Sequence, residues 1–329
     1  MRCLLIGNYG TGNFGDEALR LYFLTSFPEI EWQVVSAHPK EGELPRLPAG
    51  IRSLLTTNWL RTLGALWHCD AVVFGGGTLF SDSESGFACF LWWIHVQAAN
   101  LFYRPVFFAF QGVGPFRIFR YEWLARSALQ KASFLSVRDR ASAERAEALR
   151  LSIKVIHSFD PIYKEFLYQI TDSTQNVLAE KKAGHSILSV IPRGNATPDF
   201  LKRYGEQLAG GHFTEVVIVS LQPEDIAETV VCNRLEQLCS LPCTRIAVHS
   251  AEELISALSP ASAVLSQRYH GSLAAIALGK KLILSPQAEG DKHAELGRYA
   301  HDAEARTELP VLVEAGESAL KDALRSLIP

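Results

Sequence analysis

Two doubly wound α/β domains facing a cleft are what this sequence predicts, and three observations predict them. Short apolar, β-rich runs alternate with helical patterns along most of the chain, the signature of βαβ units and parallel sheet. The alternation lapses over a polar stretch, Gln169 to His185, and then restarts. The length, 329 residues, exceeds what one hydrophobic core usually serves.

In the first half the strands read Cys3 to Ile6, Trp32 to Ser36, Ala71 to Phe74, Val106 to Phe110, Phe134 to Val137 and Lys154 to His157. Helices fit between them at Asp16 to Ser26, Gly86 to Phe102, Glu122 to Lys131 and Ser142 to Arg150. In the second half the strands read Ser186 to Ile191, Glu215 to Ser220, Arg245 to Val248, Ala263 to Ser266 and Lys281 to Leu284. Their helices read Asp199 to Leu208, Ile226 to Leu238, Ala251 to Leu258 and Ser272 to Leu278, and Val311 to Leu327 is a last amphipathic helix. The expected division is a first domain over 1–168, a linker over 169–185, a second domain over 186–310 and a terminal helix over 311–329.

Composition narrows the function. Apolar residues make up 48% and charged residues 20%, as in globular proteins with substantial cores. The net charge of -3, with both signs interspersed, excludes a nucleic-acid binder working by bulk electrostatics, so any anion site must be local. The six cysteines form no CxxC pair, and the closest spacing, Cys239 to Cys243, has no neighbouring His, which argues against zinc and thioredoxin-like chemistry; no metal is expected. Cys3 and Cys69 read as small core hydrophobes. The short apolar run after Met1 does not make a signal peptide, and no stretch of about twenty apolar residues could span a bilayer, so a cytoplasmic protein is expected.

Chemistry concentrates where strands end, the place where α/β sheets bind ligands. Arg268-Tyr269-His270-Gly271 puts a fixed cation and a titratable imidazole on the turn from a buried strand into a helix of small apolar residues. The outward N–H groups and positive end of that helix suit an anion that needs a proton. The alternative is that Arg268 pairs with a carboxylate and His270 caps the helix. Gly10, Gly12 and Gly15 match GxGxxG after the first strand, but no carboxylate ends the second strand, and Asp16 and Glu17 would repel a pyrophosphate. The segment with Gly12, Asn13, Asp16 and Glu17 fits a hydroxyl-rich acceptor or a general base better. Gly75, Gly76 and Gly77, followed by Asp82, and Gln111 to Pro115 end two further strands; their glycines allow a ligand to approach closely. Arg138 adds a second fixed cation, with Asp139 or Asp160 as partners if it is structural. Arg193 follows the strand that reopens the pattern, and Lys292 follows the last one.

In this order the clusters resemble the polysaccharide pyruvyl transferase family: Gly12-Asn13-Phe14-Gly15-Asp16-Glu17-Ala18, Gly75 to Asp82, Gln111 to Pro115, Val137-Arg138-Asp139, Asp160-Pro161, Arg268 to Gly271, and Lys292 downstream. The resemblance spans nearly the whole chain. It implies a fold similar to two-domain, Rossmann-like GT-B glycosyltransferases. It also implies transfer of the pyruvyl group of phosphoenolpyruvate to a sugar or glycan as a ketal, with no cofactor. By this resemblance Arg268 and Arg138 hold the donor's carboxylate and phosphate, and His270 donates the proton. Relatives acting on lipid-linked wall sugars often carry Tyr-Asp-Pro-Lys where this chain has Glu289-Gly290-Asp291-Lys292, so the acceptor class stays open.

The residues suit that chemistry. A donor with a carboxylate and a phosphate needs two or more cations, best supplied as guanidinium forks by Arg268, Arg138 and Arg193. The rival readings are a GT-B glycosyltransferase that uses a nucleotide sugar and a non-catalytic relative that binds anionic ligands. The run Phe90-Leu91-Trp92-Trp93 and the segment Phe102 to Phe110 are strongly aromatic. Most of this reads as core, and the surface alternative is a contact with a lipid-linked acceptor or the inner face of the membrane.

Overall fold

The computed structural model describes residues 1–82, 86–176, 186–286 and 293–327. The chain forms two compact units, each assembled from separate stretches of sequence: Met1–Thr11 with Leu19–Pro161 and Leu309–Pro329, and Gly12–Ala18 with Ile162–Glu308.

Along the chain the elements are β1 (Arg2–Ile6), α1 (Phe14–Ser26), β2 (Glu31–Ser36), β3 (Leu44–Pro45), α2 (Ile51–Leu54), α3 (Leu60–His68), β4 (Ala71–Phe80) and α4 (Gly86–Leu101). Then come β5 (Val106–Val113), α5 (Phe119–Leu129), β6 (Ala132–Val137), α6 (Arg140–Ala148), β7 (Val155–His157) and α7 (Ile162–Asn176). The remainder is β8 (Ile187–Ile191), α8 (Pro198–Ala209), β9 (Glu215–Ser220), α9 (Ile226–Leu238), β10 (Cys243–Ala247), α10 (Ala251–Leu258), β11 (Ala263–Ser266), α11 (Tyr269–Ala277), β12 (Lys281–Leu284), α12 (His293–His301) and α13 (Ala303–Arg325).

The first unit is built on a seven-stranded sheet in the order β3-β2-β1-β4-β5-β6-β7, with every pairing parallel. Right-handed crossovers from β3 through to β7 put α3 to α6 on one face. Leu66, Trp92, Val96, Ala125 and Ala143 of those helices accordingly share a core with Leu4, Phe74 and Phe108 of the sheet. The other face takes α1 and α13, where Tyr22 and Phe23 meet Phe110, Phe27 stacks on Phe23, and Tyr22 donates to Glu317 at 2.8 Å. The core reading holds for Trp92, which is 2% exposed. Burial pushes the Cys3 thiol up to about 12 and the Cys69 thiol up to about 11, so both stay protonated at neutral pH.

His95 is a satisfied core histidine. Its Nε2 accepts from the Leu47 N–H at 2.9 Å, and its Nδ1 lies 2.8 Å from the Leu91 carbonyl, which fixes the neutral tautomer. Burial, reinforced by the nearby Arg46 cation, lowers its pKa to about 4. The unfolded chain therefore binds this proton at a higher pH than the folded one does. Stability should fall as pH drops from about 6.5 towards about 4, by about 3 kcal/mol from this residue. Urea unfolding across that window, compared with His95→Gln, measures it; the variant should show a smaller loss.

The second unit carries a five-stranded sheet in the order β10-β9-β8-β11-β12, again parallel throughout. Phe200 and Tyr204 of α8 and Cys232 and Leu235 of α9 pack on Leu188, Ile218 and Leu265. Helices α7, α10 and α11 pack on one another.

Several elements differ from the sequence expectation, and α3 and α12 were not expected at all. The stretch read as linker from 169 is helical as far as Asn176, because α7 starts at Ile162 and buries Ile162, Tyr163 and Phe166 as one face; residues 177–185 lie outside the described residues. The glycines 75–77 continue β4 instead of ending it, with φ of 80° and 81° at Gly76 and Gly77 and a register shift against β5 after Gly77. Gln111 likewise lies inside β5. The two-residue β3 and the short α2 carry too little periodicity to be read from sequence.

Candidate functional site

Each sheet has one point where strand order reverses, and ligands of open α/β sheets bind outside the carboxyl ends of the strands there. In the second unit that point lies between β8 and β11. Pro192 and Arg193 follow one strand; Gln267, Arg268 and His270 follow the other.

His270 is the second residue of α11, and Arg268 occupies the N-cap position with extended backbone (φ -101°, ψ 130°). The imidazole is held on several sides. Phe14 meets it edge-on at 6.2 Å between centroids, and Tyr269 does so at 5.3 Å. The backbone of Gly15 lies against its Nδ1 so closely that a Cβ there would sit 1.9 Å away. The N-terminal segment Gly12–Ala18 therefore belongs to this corner: the Phe14 N–H donates to the Leu221 carbonyl just beyond β9 at 2.9 Å, and Phe14 stacks on Phe166. Asn13 organises the start of α1, its side-chain oxygen accepting from Gly15 N–H at 3.2 Å and its carbonyl from the amides of Asp16 and Glu17. Gly12, with φ of 71°, faces Glu224, 3.2 Å from where its Cβ would be. The half-buried Asp16 and Glu17 sit on the first turn of α1, where carboxylates complement the helix dipole.

Arg268 ties the corner together from within. Nε donates to the Pro192 carbonyl at 3.2 Å, and Nη2 donates to Gln222 Oε1 at 3.1 Å and forms a very close ion pair with Glu228. Glu228 is fully buried and also accepts from Ser220 Oγ at 2.7 Å and Gln222 N–H at 2.8 Å. One charge-assisted network thus joins the ends of β8, β9 and β11 to α9. The guanidinium fork is committed to the protein, and among the described residues only Nη1 makes no hydrogen bond. Arg193 is half-buried on the same loop, and Gly194 beside it packs against the start of α9, its would-be Cβ 2.9 Å from Glu228 N. Lys292, with Glu289 to Asp291, lies outside the described residues.

The remaining expected site residues belong to the first unit. Arg138 is 1% exposed; Nη1 donates to the buried Asp160 at 2.7 Å and Nη2 to Thr78 Oγ1 at 2.9 Å. Of the two carboxylates the sequence offered, Asp160 takes the close ion pair. Asp139 caps α6 by accepting from Ser142 N–H, with its other oxygen 4.0 Å from Arg138 Nε. Asp82 accepts from the amides of Arg117 and Ile118 at 2.8 to 2.9 Å and so fixes the entry into α5. Gln111 is buried, its Nε2 donating to the carbonyls of Phe74, Gly76 and Ala109, which holds the positive-φ backbone at Gly76 and Gly77 in place. These side chains brace the strand ends.

Glu228 was not anticipated; Gly15 and Gln222 stand at the expected strand ends, but their contacts with His270 and Arg268 were not foreseen. Glu228 had a signal: with Cys232 and Leu235 it shares the buried stripe of α9, and a carboxylate on an apolar stripe demands a cation. Among the described residues no group of three His, Cys, Asp or Glu is placed to hold a metal, and no helix is long and apolar enough to cross a membrane.

A family model described as polysaccharide pyruvyl transferase matches residues 12–284. A comparison with curated proteins found no match. Among solved structures, Anabaena Alr3699/HepE in complex with UDP and glucose superposes with a TM-score of 0.59 at 12% identity, covering 99% of this chain and 100% of that one. UDP-GlcNAc 2-epimerase from Neisseria meningitidis bound to UDP-GlcNAc gives a TM-score of 0.57 at 12% identity, again over 99% and 100%. At these identities the likeness shows the fold, which is the α/β, parallel-sheet GT-B type.

Proposed function

This chain belongs to the polysaccharide pyruvyl transferase family, and from that premise we propose that it moves the pyruvyl group of phosphoenolpyruvate onto two hydroxyls of a sugar as a ketal, releasing orthophosphate. The observation that carries the reading is the imidazole of His270 held against Gly15 and the start of α1, on a turn that Arg268 and Glu228 fix. A proton donor held rigidly beside an anion-favouring helix end is what this reaction needs.

The steps balance without a cofactor. His270 gives a proton to the methylene carbon of the donor, and the adjacent carbon becomes oxocarbenium-like. One sugar hydroxyl adds there and returns its proton to the imidazole, with Asp16 or Glu17 assigned as relay. The second hydroxyl displaces phosphate, and its proton leaves with that group. Arg268 Nη1 and Arg193 are assigned to the donor's oxyanions.

Gly15→Ala tests the contact on which the reading stands. A methyl at that position must displace the imidazole, and a displacement of about 1 Å from productive geometry costs roughly a hundredfold in rate. Phosphate release should fall by about that factor while the melting temperature changes little. An unchanged rate would separate His270 from the chemistry.

One observation favours a second reading: the solved neighbours named above carry UDP or a UDP-sugar. A GT-B glycosyltransferase would be protected against thermal unfolding by UDP and not by phosphoenolpyruvate; the transferase proposed here should show the reverse.

A further inference from the structure

Large apolar side chains of the first unit are exposed on α2 and at the starts of α4 and α5; others, Trp67, Leu101 and Tyr103, lie at the far ends of α3 and α4. Helix α2 buries no residue, yet Ile51 on it and Leu55 just after it are each 80% exposed. Phe119 and Trp123, one turn apart on α5, are 78% and 53% exposed, and Phe87 at the start of α4 is 57% exposed.

The starts of α4 and α5 adjoin. Gly86 of α4 lies against Tyr121 of α5, whose ring atoms would come within 2.0 Å of a Cβ. Phe90 stacks on Trp93, and Trp93 Nε1 donates to Ser127 of α5 at 3.3 Å. On the other side of α4 the segment leading to α2 is pinned by Arg46 over the Trp92 ring and by Leu47 on His95. Helices α4 and α5 both start where β4 and β5 end, so Phe87, Phe119 and Trp123 lie toward the carboxyl edge of the sheet.

Charge identifies the occupant. Residues 51–68 and 86–131 contain seven Lys or Arg and one carboxylate, Glu122, and Asp82, bound to the Arg117 and Ile118 amides, adds a second, in a chain whose net charge is -3. Arg52, Arg117, Arg120 and Arg126 are exposed among the apolar side chains. A second copy of this surface would bring like charges together across a two-fold axis, which disfavours self-association there. Aromatic and aliphatic side chains interleaved with arginines are the composition of surfaces that settle into the headgroup layer of a bilayer, and anionic lipid complements the charge.

We propose that the α2–α4–α5 rim of the first unit docks onto an anionic lipid bilayer, with Ile51, Phe87, Phe119 and Trp123 at headgroup level and Arg52, Arg117 and Arg120 against lipid phosphates. The inference goes beyond the transfer reaction and is read without donor or acceptor, so either can fail alone. The full chain is sedimented with vesicles of phosphatidylcholine, with and without phosphatidylglycerol, at low salt and at about 0.5 M salt, where charge attraction is screened. The wild type should pellet with the anionic vesicles at low salt. Phe119→Ser with Trp123→Ser should lower partitioning by more than about tenfold, and Arg117→Gln or Arg120→Gln by about fivefold each. Ile51→Ser with Leu55→Ser, on a helix that buries nothing, repeats the test if the first pair melts early. Wild-type protein left in the supernatant with anionic vesicles, or substituted proteins pelleting like wild type, would overturn the proposal. So would a wild-type dimer that the Phe119→Ser, Trp123→Ser pair converts to monomer.

Discussion

His270→Ala should abolish phosphate release from phosphoenolpyruvate in the presence of acceptor while the protein keeps its fold. The imidazole is half-buried and rests on Gly15, Phe14 and Tyr269, so its removal leaves a small gap at the edge of a core that lies elsewhere. Loss of a positioned acid typically costs about 10² to 10⁴ in rate. Here the loss should reach the upper end, because carbon protonation starts the sequence. His270→Gln should not rescue, since an amide keeps a hydrogen-bond donor but cannot give up a proton at working pH. A residual rate within about tenfold of wild type would remove His270 from the proton's path.

Arg138→Ala should have the largest effect on stability. Its guanidinium and the carboxylate of Asp160 are 1% and 0% exposed, so truncating one partner strands the other charge away from water. Breaking a buried pair in this way costs about 3 to 5 kcal/mol. Replacing both partners, with Arg138→Met and Asp160→Leu, should recover most of that loss, because the pair's attraction mainly offsets its own desolvation. Equilibrium unfolding of the wild type, Arg138→Met, Asp160→Leu and the double variant closes the cycle. Near-additive losses would mean that Arg138 contributes through contacts other than Asp160. If stability were retained in Arg138→Ala and only the affinity for phosphoenolpyruvate fell, Arg138 would instead be a donor ligand.

Much of the fold was legible because buried parallel strands are short apolar runs with turn residues at their ends. β9, β11 and β12 run over the residues expected for them, and α9 and α10 likewise. What escaped depended on partners distant in sequence. α7 reads as polar from Gln169 onward because its apolar face, Ile162, Tyr163 and Phe166, precedes that point. The glycine run after Phe74 reads as a turn, whereas pairing with β5 and the hydrogen bonds of Gln111 hold it in the sheet.

The candidate site was legible as a set of residues but not as a set of contacts. Arg268 and His270 announce themselves by type and position at a strand-to-helix turn. That Gly15, some 255 residues earlier, is the surface on which the imidazole rests follows only from the Phe14 amide reaching Leu221 and carrying residues 12–18 into the second unit. The sequence offers Arg268 as a fork for a ligand. The structure shows that fork gripping Glu228, so its main effect is to hold the turn, with Nη1 making no hydrogen bond among the described residues.

The most direct test of the central claim, that His270 protonates the donor's methylene carbon, is the reaction run in deuterated water with phosphoenolpyruvate and a panel of hexose acceptors, read by orthophosphate release and by NMR of the product. Wild type should release phosphate in step with a ketal whose methyl group carries a single deuterium, and His270→Ala should give neither. Equal deuterium incorporation by His270→Ala, or release of UDP from a nucleotide sugar with no reaction of phosphoenolpyruvate, would contradict it.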